Sequence, residues 1–222
     1  MPERTEELQR RLASYGLDAG PFDGLYGDLT EEAVFDALDK FAPPYVQSSG
    51  IIPIEWMPPA KMVRIIAHWT AGAHKASEHD RQYYHLLIEG DGKLIRGIYS
   101  IADNVSTSDG RYAAHCKNCN TGSIGVSLCC MAGAIESPFN AGQYPMTSTQ
   151  WDVLSTVLAE LCDEYDIPAE PETVLSHAEV EGTLGIDQSG KWDFTRLAFD
   201  PAISGAKACG DRLRSEVTAK LG

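Results

Sequence analysis

Three short apolar runs, in which valine and isoleucine recur, constrain the fold of this chain most. They cover residues 63–67, 123–130 and 173–176, and each is too short for a stable helix. Buried strands have this appearance, because helices cover both faces of the sheet to which they belong. We therefore predict an α/β domain over residues 53–222, with a mixed central β-sheet flanked by helices.

Further elements can be predicted around these runs. Residues 84–89 and 93–99 are expected to form strands on either side of a Gly-Asp-Gly turn at residues 90–92. Thr147, with a glutamine three residues later, forms a capping box that opens a helix. The tail at residues 203–221 is predicted to be a surface helix.

Composition and charge exclude several classes of function. Of the 222 residues, 43% are hydrophobic and 23% are charged, as in ordinary globular proteins. The formal net charge of −14 argues against nucleic acid as a partner, because affinity for phosphates comes from Lys and Arg. No apolar run approaches the roughly 20 residues that cross a bilayer, so membrane insertion is not expected. The charged N-terminus lacks a signal-peptide core, so we expect synthesis in the cytoplasm.

The six cysteines are expected to be free thiols, because the chain begins without a secretion signal. Cys116 and Cys119 form a single CxxC pair, which is a weak signal for a metal or redox site and is more often accidental or structural. Cys129 and Cys162 lie in apolar patterns and are expected to pack as small hydrophobic side chains.

Residues 1–42 are predicted to form a small helical module, followed by a linker at residues 43–52 that contains Pro43 and Pro44. Thr30 is a candidate cap for the second helix of this module. Apolar residues at helical spacing suggest one buried face on each helix. These residues are Leu8, Leu12 and Tyr15 in the first helix, and Ala33, Val34, Ala37, Leu38 and Phe41 in the second.

Two histidines occupy equivalent places in the predicted sheet. His68 and His177 each follow a short apolar strand and precede a polar loop, where functional side chains of α/β proteins gather. Asp193 lies downstream in a Lys-Trp-Asp segment. Two histidines and a carboxylate, with one position left open, form a common catalytic zinc site. Spacing alone leaves the structural alternative open, since the three residues are far apart in sequence.

Five segments occur in an order that resembles a known family of enzymes. Over residues 63–197 the chain is similar to the zinc-dependent N-acetylmuramoyl-L-alanine amidases, which include phage lysozyme-type amidases, bacterial muropeptide amidases and peptidoglycan recognition proteins. Together the segments are far more specific than any one of them. They are IIAHWTAG (65–72), YYHLLIEGDGKLIRG (83–97), AAHCKNCNTGSIGVSL (113–128), LSHAEV (175–180) and GKWD (190–193).

The resemblance implies a peptidoglycan recognition protein-like fold and a Zn²⁺ cofactor bound by His68, His177 and Asp193. It implies catalytic roles for Tyr84, near the activated water, and for Lys191, which would stabilise the oxyanion. Some members of the family carry a catalytic glutamate at the position of Ser127. This chain is therefore closer to the phage branch, which relies on tyrosine and lysine.

Three residues are candidates for substrate binding. His115 matches a residue in the cleft of the family and is expected to contact sugar or peptide. Asn120 and Thr121 have side chains that suit a substrate contact, but they suit a turn equally well.

The N-terminal residues resemble the helical peptidoglycan-binding module found beside wall hydrolases. The resemblance rests on the Asp23-Gly24-x-x-Gly27 turn, followed by Thr30 and a helix. A plain helical cap on the main domain is the alternative interpretation.

Together these resemblances predict a monomeric amidase that cuts between N-acetylmuramic acid and L-alanine in bacterial peptidoglycan. A phage or prophage endolysin, released to the cell wall after synthesis, is the leading interpretation. A muropeptide-recycling amidase, an antibacterial toxin and a non-catalytic peptidoglycan-binding protein remain alternatives.

Overall fold

The computed structural model describes residues 2–41 and 50–221, and the chain divides into two compact units, Met1–Ser49 and Gly50–Gly222. The predicted linker falls largely between the described ranges, and Pro43 and Pro44 lie outside the described residues. Within the described residues, no helix combines the length and the apolar character that crossing a bilayer requires.

The N-terminal unit consists of helix α1 (Pro2–Ser14) and helix α2 (Asp28–Phe41), with an intervening turn-rich segment. Leu12, Ala19 and Ala33 form its small buried cluster. Gln9 is also buried, and its side-chain amide donates to the carbonyl of Leu25 at 2.9 Å and accepts from the backbone N–H of Gly24 at 3.1 Å. A buried polar side chain therefore holds the turn against α1.

Two details of this unit differ from the sequence-based expectation. Helix α2 begins two residues before Thr30, because the carbonyl of Gly27 accepts the first helical bond from Glu31. Thr30 is therefore not the cap; its buried hydroxyl donates to the carbonyl of Ala19. Tyr15 follows the end of α1 and is 55% exposed, so it is not part of the buried face. The predicted contacts of Leu38 and Phe41 lie outside the described side chains.

A five-stranded mixed sheet forms the centre of the larger unit, as predicted. Its strand order is β3-β2-β4-β1-β5, and every neighbouring pair is parallel except β2 with β3. The strands are β1 (Arg64–Trp69), β2 (Leu86–Ile88), β3 (Leu94–Arg96), β4 (Ser123–Leu128) and β5 (Val174–Ser176). Strands β2, β3, β4 and β5 are shorter than predicted.

The two central strands are buried along almost their whole length. β1 pairs with β4 in a register that places Ala67 beside Val126 and His68 beside Ser127. Helices cover the sheet, which explains why these runs are apolar at consecutive positions instead of alternating.

Three helices complete the larger unit, namely α3 (Ser148–Tyr165), α4 (His177–Leu184) and α5 (Ala206–Leu221). The predicted capping box at the start of α3 is present, since Thr147 accepts from the backbone N–H of Gln150 at 3.1 Å. Helix α5 lies on the surface, as predicted, with Lys207, Asp211 and Ser215 exposed. Leu213 and Val217 are buried in the main core, because α5 packs one face against α3.

Candidate metal centre and active site

Two adjacent parallel strands bring the candidate histidines together. His68 is the penultimate residue of β1, and His177 follows directly after β5 as the first residue of α4. The carboxyl ends of parallel neighbours lie at one edge of a sheet, so both imidazoles reach the same place. Asp193 comes from the loop after α4, and its carboxylate accepts from the backbone N–H of Trp69 at 3.4 Å.

The three candidate ligands form a compact, buried triangle. The Nδ1 atoms of His68 and His177 are 3.1 Å apart. The Oδ2 atom of Asp193 lies 3.7 Å from His68 Nδ1 and 3.4 Å from His177 Nδ1. Ligand atoms at about 2.0–2.1 Å from one tetrahedral zinc ion are separated by about 3.3 Å. The spacing of these three atoms therefore fits a single zinc ion, to which a further ligand could still bind.

Hydrogen bonds on the outer side of each ring fix its tautomer. His177 Nε2 lies 3.0 Å from the side-chain oxygen of Gln188, and His115 Nε2 lies 3.3 Å from the carbonyl of Ser123. Both oxygens only accept, so both Nε2 atoms carry the hydrogen. His115 Nδ1 is then an acceptor, and it receives the Nε2–H of His68 at 3.1 Å.

These tautomers leave the Nδ1 lone pairs of His68 and His177 facing each other and the carboxylate of Asp193. Burial lowers the pKa of His68 to about 4 and lowers that of His115 well below its ordinary value, so both rings are neutral at pH 7. Two lone pairs and a carboxylate within 3.7 Å repel one another unless a cation lies between them. The chemistry of this donor set thus suits a metal ion.

Gly125 makes room for this arrangement on β4. A Cβ atom at Gly125 would lie 2.5 Å from the ring of His115, so a side chain there would displace that imidazole. The close approach of His115 therefore explains why the Ser-Ile-Gly-Val motif has a glycine at this position.

The candidate catalytic residues line a cleft of about 820 Å³ beside the triangle. The ring of Tyr84 lies 5.2 Å from that of His68. Burial and the carboxylate of Asp193 raise the pKa of Tyr84, so its phenol stays protonated at physiological pH. Lys191 is exposed at the cleft and, among the described residues, has no ion-pair partner.

The three candidate substrate residues lie in different environments. His115 borders the cleft, but both of its ring nitrogens are used within the protein. Asn120 also borders the cleft, and its side-chain oxygen accepts from the backbone N–H of Cys116 at 2.9 Å. Thr121 does not line the cleft; its hydroxyl lies 2.9 Å from that of Thr107. Asn120 therefore offers only its amide N–H groups to a substrate.

Sequence reasoning missed two features of the site. Gln188 was not singled out, because a glutamine in a polar loop carries no pattern that marks it as buried. The second feature is backbone strain: several non-glycine residues that line the cleft adopt a left-handed conformation, which costs about 1 kcal/mol or more each. They are Ala71 (φ 53°), Asn118 (φ 56°), Met131 (φ 71°) and Ser189 (φ 55°).

All six cysteines are free, as expected, and burial extends beyond the predicted Cys129 and Cys162 to the other four. Cys116 lies close to the site, since its thiol donates to the side-chain oxygen of Gln188 at 3.4 Å. Cys119 accepts from the guanidinium of Arg64 at 3.4 Å. The CxxC pair is therefore buried next to the candidate metal ligands.

Among solved structures the chain is similar to several distant ones. They include N-acetylmuramoyl-L-alanine amidase LysC from Clostridium intestinale (15% identity over 60% of this chain and 93% of the other, TM-score 0.36). Another is the catalytic domain of PlyG, with 20% identity over 78% of this chain and 93% of the other, and a TM-score of 0.42. A third is Drosophila peptidoglycan recognition protein SD, with 20% identity over 60% of this chain and 86% of the other, and a TM-score of 0.38. No curated protein matches the chain significantly.

Comparison with protein families gives a firmer result. Residues 2–36 match the model of a putative peptidoglycan binding domain. Residues 58–194, more than half of the chain, match the model of N-acetylmuramoyl-L-alanine amidase, and they span every residue of the triangle and the cleft described above. The protein therefore belongs to the N-acetylmuramoyl-L-alanine amidase family, as a peptidoglycan hydrolase that carries a peptidoglycan-binding type of module at its N-terminus.

Proposed function

We propose that the chain is a zinc-dependent amidase that hydrolyses the amide bond between N-acetylmuramic acid and L-alanine, with His68, His177 and Asp193 as zinc ligands. One observation carries this proposal. The tautomers set by the outer hydrogen bonds direct two imidazole lone pairs and one carboxylate to a common point, at the spacing of tetrahedral ligands.

The chemistry needs a nucleophile at neutral pH, stabilisation of an oxyanion and a proton for the leaving amine. When bound, zinc supplies Lewis acidity that activates water and polarises the scissile carbonyl. Lys191 brings a positive charge to the cleft, where it would stabilise the negative charge that develops on the carbonyl oxygen. Tyr84, held as a protonated phenol, would donate a hydrogen bond to a reacting oxygen.

The three-ligand set distinguishes this proposal from that of a non-catalytic binding protein. Metal content tests the set directly: wild type is expected to hold one zinc per chain after passage over a weak chelator, and Asp193→Ala to hold far less. Equimolar zinc that survives this substitution would contradict the ligand assignment. Lys191→Ala serves as the matched control, since it changes the charge of the cleft but none of the three donors.

The reaction itself is tested by digestion of purified sacculi and mass spectrometry of the products. We expect free stem peptides that begin with L-alanine. New reducing sugar ends without such peptides would indicate a glycosidase and overturn the proposal.

We further propose that the substrate is intact cell wall, which favours a phage or prophage endolysin over a recycling enzyme. The N-terminal unit supports this, because it exposes large apolar side chains of the kind that stack on sugars or dock on other chains. They include Phe22, Leu25, Tyr26, Leu29 and Phe35, which are 44–69% exposed. Faster release of stem peptides from small anhydro-muropeptides than from sacculi would favour recycling instead.

A further inference from the structure

Gln188 is the one buried residue between residues 181 and 191. Its side chain is only 3% exposed, although Asp187 and Ser189 on either side are exposed. A buried glutamine in an exposed loop is unusual, because its amide must find partners for all of its polar atoms.

All polar atoms of the Gln188 amide have partners within the protein. Its Nε2 donates to the carbonyls of Lys117 at 2.9 Å and Ile186 at 3.3 Å. Because both of these partners only accept, the orientation of the amide is determined and Oε1 must point the other way. On that side Oε1 faces Nε2 of His177 at 3.0 Å and the thiol of Cys116 at 3.4 Å.

This orientation determines the state of His177. Oε1 has no hydrogen to give, so it selects the tautomer that carries its hydrogen on Nε2 and its lone pair on Nδ1. The Nδ1 atom is the one that points towards His68 and Asp193. Without Gln188, either nitrogen of the ring could carry the hydrogen, and the ring could rotate about its side-chain bonds.

Several contacts hold the loop so that Gln188 stays in place. The backbone N–H of Gln188 donates to the carboxylate of Glu181 at 3.2 Å. Asp187 forms an ion pair with Lys117 at 2.9 Å and accepts from the backbone N–H of Ser189 at 2.9 Å. The Asp187 contacts are exposed and do not touch either imidazole, so they orient the loop alone.

We propose that Gln188 is a positioning residue for the metal centre, which acts by fixing the ring of His177 with Nδ1 free to bind the ion. This inference rests on the proposed function, since it assumes that His177 is a ligand. Outer partners of metal-bound histidines typically change metal affinity by about 10–100-fold when they are removed.

The test compares Gln188→Met, which keeps the linear shape but removes the strong acceptor, with Gln188→Glu, which restores an acceptor. Asp187→Ala is the matched control, because it removes exposed contacts of the same loop and leaves His177 untouched. Zinc affinity of the full chain is measured by competition with a chromophoric chelator. We expect about 10–100-fold weaker binding for the Met variant, and binding near that of wild type for the Glu and Ala variants.

A second readout needs no metal. Long-range ¹H–¹⁵N spectra of the zinc-free protein report the tautomer of each histidine. We expect His177 to be protonated at Nε2 in wild type and in Gln188→Glu, and to show protonation at Nδ1 in Gln188→Met. If the Met variant does not fold, the tautomer in the Glu variant decides: a folded, zinc-free Gln188→Glu with His177 protonated at Nδ1 would overturn the proposal.

Two results separate the failure of this inference from that of the proposed function. If Gln188→Met keeps both the tautomer and the zinc affinity while Asp193→Ala loses zinc, Gln188 is not a positioning residue but the ligand set stands. If Asp193→Ala keeps equimolar zinc, the ligand set itself is wrong, and this inference falls with it.

Discussion

Each imidazole at the centre has a different neighbour on its outer side. His68 donates to another histidine, whereas His177 donates to an amide oxygen. The sequence pointed to His68, His177 and Asp193 as a group, because strand ends and the resemblance agree on them. It could not reveal Gln188, since a glutamine in a polar loop has no pattern that distinguishes a buried position from an exposed one.

Tyr84 gives a prediction at the scale of one hydroxyl group. Its phenol stays protonated, so Tyr84→Phe removes a hydrogen-bond donor and no charge. We expect kcat/KM on sacculi to fall by about 10²–10⁴-fold. Zinc content should equal that of wild type. Tyr144→Phe, which changes an exposed tyrosine that does not line the cleft, is the control, and an equal loss in both variants would contradict a specific role for Tyr84.

His85 gives a prediction for the pH dependence of stability. Burial lowers its pKa to about 4, against an ordinary value of 6.5, so the unfolded chain binds its proton more readily than the folded one. The contribution of His85 to stability is therefore present above pH 6.5 and is lost as the pH falls to 4, by about 3 kcal/mol.

Urea unfolding of the wild type and His85→Asn between pH 7 and pH 4 measures this loss. The asparagine oxygen can replace Nδ1, which accepts from the backbone N–H of Gly125, and it does not titrate. A smaller loss of stability in the variant is expected. Identical curves would show that His85 does not titrate as stated.

Ala71 allows the backbone strain at the cleft to be measured. This exposed residue has φ 53°, a conformation that glycine adopts without a steric cost. Ala71→Gly is therefore expected to raise the free energy of unfolding by about 1 kcal/mol. Ala202→Gly, at an exposed turn position without positive φ, is the control and should lower it or leave it unchanged. Thermal unfolding of the two variants distinguishes these outcomes.

At the scale of elements, contacts among β5, α4 and α5 fix the backbone on both sides of His177. Glu179 in the first turn of α4 accepts from the backbone N–H of Ser176 at 2.8 Å, and forms a buried ion pair with Arg214 of α5 at 2.9 Å. Arg214 also donates to the carbonyl of Val174 on β5. One arginine thus connects α5 to the strand and the helix on either side of His177.

Breaking this buried pair should cost far more than breaking an exposed one. Arg214→Met leaves the buried carboxyl group of Glu179 without its cation, which is expected to lower the free energy of unfolding by about 3–5 kcal/mol. Arg212→Met removes half-exposed pairs from the same helix, and a change below about 1 kcal/mol is expected. Equal losses in urea unfolding would mean that burial of the Arg214 pair does not matter.

The helices also show what sequence patterns can and cannot predict. The start of α3 was predictable, because Thr147 and Gln150 form a local signal that needs no tertiary contact. Helix α4 was not predicted, since its eight residues give too little periodicity to recognise. The surface position of α5 was predicted, but the face that it buries was not, because that face is decided by packing against α3, more than 40 residues away in sequence.

At the scale of the whole molecule, the division of the chain into two compact units predicts that wall attachment and hydrolysis can be lost separately. Substitution of Leu25 and Tyr26 by serine in the full chain is expected to reduce co-sedimentation with sacculi, because both side chains are exposed on the N-terminal unit. Hydrolysis of soluble muropeptides should not change. Loss of activity on both substrates would argue against wall attachment by this unit. With a net charge of −14, binding to the anionic wall is not expected to weaken as salt is added.

The three proposed ligands come from places that only the folded chain brings together, namely the ends of two strands and the loop that leads to Asp193. An ion that binds all three also stabilises the native state against unfolding, by an amount set by its free concentration. Above the dissociation constant, each tenfold rise in free zinc should add about 1.4 kcal/mol to the free energy of unfolding. The melting temperature of the protein would therefore report how much zinc its surroundings contain.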